Sequence, residues 1–329
     1  MKKKTPVVFA FAFIVIVIGV LLYQSTRTSQ NETSNETNNE TNNDDLEAME
    51  TDGMFQEMEN GIENDRQTLV VLEGPTIPLG DLEIGDRLYD PSWDWIFRAG
   101  DNHTNSSAAY NDAYIPEEQV KPVVWIIVGE NHYDTAENES HFVLLSEEFL
   151  FRHQYSEGKN SWKDSMARDF LNTTFVGSFS SLFKDRVLLT KVPNWDTTYD
   201  FYHSEDYAWI LSKDEYGAGN VASQPTGSVL AYFDLESKNG GPISEDELKE
   251  RRMTTLMGDK SQAIRFPSRS TYYTNDESIS QMENTTGETG SYGKIYKSSY
   301  PYRVAINLSI EGVSVSQKTN SDGYYCIVW

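Results

Sequence analysis

Apolar and polar positions give the chain three textures. Val7 to Tyr23 (VVFAFAFIVIVIGVLLY) is an apolar run without a charge. Residues 24–66 hold the low-complexity stretch NETSNETNNETNNDD and then a mostly acidic segment, with little to bury. From Thr68 onward, short apolar runs are broken by Gly, Pro, Asn and Asp. These runs predict strands at TLVVLE, KPVVWIIVGE, HFVLLS, RVLLTKV, YAWILS, RVAINLSI, GVSVSQ and YYCIVW. Thr319 to Gly323 separates the last two and reads as a hairpin loop, with Gly323 free to take positive φ.

Helical spacing is scarcer. Trp162, Met166 and Phe170 fall on one face of a helix predicted over residues 161–172. A second helix is predicted over 244–257, opening on Ser-Glu-Asp-Glu, a capping-box signature whose acids suit the helix dipole. Many strands, few helices, long loops and no regular βαβ alternation predict an α+β domain.

The N-terminal run changes the picture most. At about 1.5 Å per residue it spans roughly 26 Å, close to the ~30 Å hydrocarbon core. Its end, Leu21-Leu22-Tyr23-Gln24, is a poor cleavage site, which favours a retained anchor over a removed signal peptide. Lys2, Lys3 and Lys4 precede it and only Arg27 follows closely, so the positive-inside rule exports the bulk of the chain. The expected organisation is a cytoplasmic tail at 1–6, a single transmembrane helix at 7–23, a polar acidic stalk at 24–66 and an extracellular domain at 67–329. Asn31, Asn35 and Asn39 each begin an Asn-Glu-Thr triplet, a glycosylation acceptor in a cell with the machinery.

Charge and cysteine count narrow the chemistry. Lys+Arg number 27 against 51 Asp+Glu, a formal net charge of −24, which repels nucleic acid. Cys326 is the one cysteine, so an intrachain disulfide and a Cys-cluster zinc site are excluded. The five histidines show no His-Glu-x-x-His pattern, and no nucleophile elbow, Walker loop or Gly-x-Gly-x-x-Gly run occurs. No catalytic residue, metal site or cofactor is expected, and an enzyme is the less favoured reading.

The candidates are for binding. Trp93 and Trp95 alternate on one face of an extended segment, either as core or as an aromatic platform for sugars or a partner's side chains. Trp195 and Tyr199 in PNWDTTYDFYH offer a second such platform. Arg269 and Arg303 can each clamp a buried carboxylate or face a ligand.

Trp125, Leu144-Leu145-Ser146, Trp162…Arg168…Leu171-Asn172, Leu211-Ser212 and Arg303…Ala305…Asn307-Leu308 together resemble a family of domains of unknown function in secreted and cell-surface proteins, mostly of bacteria. The resemblance runs from about Leu79 to Leu308. It departs from the family pattern at Arg265 to Thr271 and at Arg303-Val304-Ala305. It implies a twisted domain distantly similar to C-type lectins and formylglycine-generating enzymes, and an outward-facing role. The paired cysteines of the copper-dependent formylglycine-generating enzymes are lacking, so that activity is not implied. The expected function is binding of an extracellular partner, a polysaccharide or a surface protein. The alternatives are a structural envelope component and an extracellular hydrolase or modifying enzyme.

Overall fold

A computed structural model describes residues 74–97, 119–158, 160–195, 200–218, 226–236, 242–254, 265–271, 278–283, 286–294 and 299–329. The expected tail, membrane helix and stalk, the glycosylation triplets, the strand over 68–73 and Tyr199 lie outside them. Among the described residues no helix is long and apolar enough to cross a membrane.

The fold is mostly β, where an α+β domain was expected. Strands β1 (Thr76–Pro78), β2 (Arg87–Phe97), β3 (Gln119–Glu130), β4 (His141–Ser146) and β5 (Phe151–Gln154) precede two short helices, α1 (Met166–Phe170) and α2 (Ser181–Lys184). There follow β6 (Thr190–Trp195), β7 (Phe201–Asp206), β8 (Ala208–Trp209) and α3 (Glu245–Arg252). The chain then adds β9 (Arg265–Thr271), β10 (Ser278–Glu283), β11 (Thr289–Lys294), β12 (Ser299–Tyr302), β13 (Ala305–Ser309), β14 (Ser314–Ser316) and β15 (Tyr325–Val328).

An eight-stranded sheet, ordered β1-β14-β15-β2-β3-β4-β13-β8, is the core. It is antiparallel except where β15 lies parallel to β2. The interior strands β4 and β13 are buried along their whole lengths, which is why HFVLLS and AINLS lack a polar alternation. On one face Trp125 stacks on Phe183 of α2, at 6.2 Å between centroids. On the other, Gly129 lets Leu230 approach so closely that a Cβ would meet its Cδ2 at 3.0 Å. Three smaller sheets complete the domain: β11-β10-β9, β12-β5 and the β6-β7 hairpin.

Local signals explain the ends of several elements. The hydroxyl of Ser244 accepts from the Glu247 amide and starts α3, as its capping box predicts. The β14–β15 hairpin forms with Gly323 at φ 86°. The first predicted helix is shorter than its spacing implies. Ser165 caps it, accepting from the Arg168 amide, and α1 runs into a wider π-type turn over Leu171–Phe175. Helix α1 and that turn deliver Phe170, Leu171 and Phe175 to the core.

Burial lowers the pKa of His132, His141 and His153; backbone contacts to Ser228, Glu139 and Gln154 oppose the shift without cancelling it. The unfolded chain therefore takes up protons at these sites before the folded one does. Their contribution to stability is complete above the unfolded value of about 6.5 and is lost as pH falls from there through the lower folded values. Urea unfolding across pH 5 to 8 should show a decline beginning near that value, and H141N should flatten it.

Candidate functional site

The hairpin of β6 and β7 has two chemically different faces. Cross-strand pairing sets Trp195 opposite Phe201, Pro193 opposite His203 and Lys191 opposite Glu205, all on one face. That face looks outward, with Phe201 49% exposed. The Trp195 and Phe201 rings meet edge to face at 5.3 Å, and Phe201 meets the His203 imidazole at 4.9 Å. Three rings thus form a contiguous aromatic strip, with Lys191 and Glu205 exposed at its base.

The inward face carries Thr190, Val192, Asn194, Ser204 and Asp206, all buried, together with half-buried Tyr202. Asp206 is its hub. Its carboxylate accepts from Trp162 Nε1 at 2.9 Å, Arg168 Nε at 2.6 Å and Ser204 Oγ at 2.6 Å. Asn172 Nδ2 lies 3.4 Å from the same carboxylate and donates to the Ala208 carbonyl at 2.9 Å. Trp162, Arg168 and Asn172, far apart from the hairpin in sequence, therefore pin its base to α1 and the turn that follows.

A second anchor is the fully buried ion pair of Arg269 and Glu215. Both terminal nitrogens of Arg269 bond the two carboxylate oxygens, Nη1 also donates to the Ile210 carbonyl at 2.9 Å, and Nε donates to the Pro193 carbonyl of β6 at 3.2 Å. Burial alone would lower the Arg269 pKa; contact with Glu215 raises it overall. Glu215 also accepts from the Ser212 amide at 2.8 Å. The directions of Arg269 are taken within the domain, so it works as a clamp, holding β9, the 210–215 segment and β6 together.

The other residues singled out from the sequence fall elsewhere. Trp93 and Trp95 are buried, not displayed. Trp93 packs against Phe175, Phe179 and Phe183, and Trp95 Nε1 donates to the Leu150 carbonyl at 2.7 Å. Their alternation does put them on one face, but that face points into the core. Trp195 lies half-buried on the outward strip. Arg303 is buried beside Ser146, whose carbonyl accepts from its Nε at 2.9 Å. Phe201 and His203 were not singled out; their signal was the i, i+2 alternation within DFYHSED.

Other described titratable groups form separate pairs. Glu147 pairs with Arg87, and Glu148 pairs with Lys121. His132 Nε2 lies 3.3 Å from Ser228 Oγ. Among the described residues no group of His, Cys, Asp and Glu could hold a metal ion.

Residues 139–310 match the family described as Domain of unknown function (DUF6273). The chain belongs to this family. The DUF6273 segment contains the hairpin, Asp206, the Glu215–Arg269 clamp and Arg303, whereas β1, β2, β3, β14 and β15 lie outside it. No curated protein and no solved structure matches the chain.

Chemically, the DUF6273 hairpin can offer apolar ring faces beside an imidazole, an ammonium and a carboxylate. Its rigidity depends on Asp206. D206A strands the Trp162, Arg168 and Ser204 donors, and should cost about 3–5 kcal/mol in urea unfolding, the range for breaking a buried pair.

Proposed function

We propose that the DUF6273 domain is a cell-surface binding module whose β6–β7 hairpin takes an extracellular polysaccharide. The observation that carries this reading is the outward aromatic strip of Trp195, Phe201 and His203. A ring pair on a braced hairpin, Phe201 exposed and Trp195 half-buried, offers rigid apolar area at small entropic cost. Sugar rings present flat C–H faces to such a strip and hydroxyls to its rim, where Lys191 and Glu205 can hydrogen-bond them. The net charge of −24 favours a neutral polymer over an acidic one.

The surface location rests on the apolar run Val7 to Tyr23 and its flanking lysines. In this reading the run anchors the chain, residues 24–66 act as a stalk, and Asn31, Asn35 and Asn39 are available for glycosylation. The resemblance to secreted and cell-surface domains, and distantly to C-type lectins, points the same way.

Retention of the full-length chain on immobilised neutral polysaccharides is the test. Native chain should be retained on at least one polymer, and F201A or W195A should weaken retention about tenfold or more, the loss of one stacked ring. Unchanged retention in both variants would remove the hairpin from the site. Failure to bind any sugar, with self-association in solution, would favour a structural envelope component.

A further inference from the structure

Arg303 stands out as a buried cation whose charge is not matched. It is 2% exposed, and Nε spends its hydrogen on the Ser146 carbonyl. Nη1 is buried without a partner, and among the described residues no carboxylate forms an ion pair with Arg303. A guanidinium left so costs several kcal/mol unless an anion meets it. Arg269, equally buried, shows the paired alternative in the same domain.

Among the described residues, the surroundings do not supply that anion. Glu147 follows Ser146 in the chain and lies within electrostatic reach of Arg303, but its carboxylate is bonded to Arg87 Nε at 2.7 Å. Tyr216 and Tyr232 are the other near groups. Burial pushes the Tyr216 phenol up to about 12, so it is neutral at physiological pH. Two arginines therefore share one carboxylate, and one positive charge is left over in a strongly acidic chain. Arg87 is 38% exposed and Glu147 27%, so the pair lies at the solvent-facing edge of the cluster.

We propose that Arg303, with the more exposed Arg87 beside it, binds the carboxylate group of a small organic acid. The unpartnered Nη1 and the adjacent Nη2 form a planar fork that matches two carboxylate oxygens. A monoanion balances the single surplus charge, whereas the greater charge of phosphate would overshoot it beside Glu147. The site lies near Ser146 at the end of β4, uses none of the strip residues, and does not depend on the polysaccharide reading.

Thermal unfolding of the full-length chain at pH 7 tests this, with sodium acetate, sodium phosphate and sodium chloride compared at equal ionic strength. Acetate should raise Tm along a saturating curve, as a ligand of the folded state does, and exceed both other salts. R303M should abolish the acetate increment. R303K keeps the charge but loses the fork, and should raise the half-saturating acetate concentration about tenfold. R87M reads the same increment without touching the buried residue and should also weaken it. Equal Tm in acetate and chloride would overturn the proposal, as would an acetate increment unchanged in R303K and R87M. A larger increment in phosphate would overturn the carboxylate assignment.

Discussion

The ion pair of Arg269 and Glu215 is the constraint on which the candidate site depends. Neither residue reaches solvent, and the guanidinium bonds Glu215, Ile210 and Pro193 at once. Strand β9, the segment after β8 and the first hairpin strand are thereby tied at one point. Such a pair adds little net stability over an apolar replacement, because desolvation offsets the attraction. What it supplies is geometry: all three guanidinium nitrogens have acceptors fixed in the domain, and a shift of the hairpin leaves a buried charge short of partners. Asp206 does the same at the hairpin's other end, through Trp162, Arg168 and Ser204.

This division of labour explains the composition of the hairpin. Its inward face is polar, unusual for buried strand positions, because Asp206 and Thr190 meet the long-range partners Trp162, Arg168 and Asn307, while Asn194 and Ser204 bond each other across the hairpin. Its outward face is aromatic, unusual for exposed positions, because the inward face already secures the hairpin. A strip that does not have to hold the fold is free to take a ligand. Arg303 follows a related logic: its neighbour Ser146 satisfies one nitrogen and leaves the fork open.

Much of the architecture was legible in the sequence. The apolar runs at β3, β4 and β13, the capping box of α3 and the Gly323 hairpin all rest on local chemistry. Pattern failed where tertiary contacts decide. YAWILS forms only the two-residue β8, since Ile210 turns its carbonyl to Arg269. Trp93 and Trp95 alternate correctly, but alternation does not say which face meets solvent. The Asp206 hub joins residues up to 44 positions apart and leaves no local trace. The family segment also lacks five strands of the main sheet, so its boundaries do not delimit a folding unit.

Hydrogen exchange on R269M against the native chain probes the clamp most directly. If the buried pair holds the hairpin, amides of residues 190–195, 201–206 and 210–216 lose protection, while those of β3, β4 and β13 keep theirs. Hairpin amides exchanging at native rates in R269M would contradict the account, because the aromatic strip would then owe its position to something else.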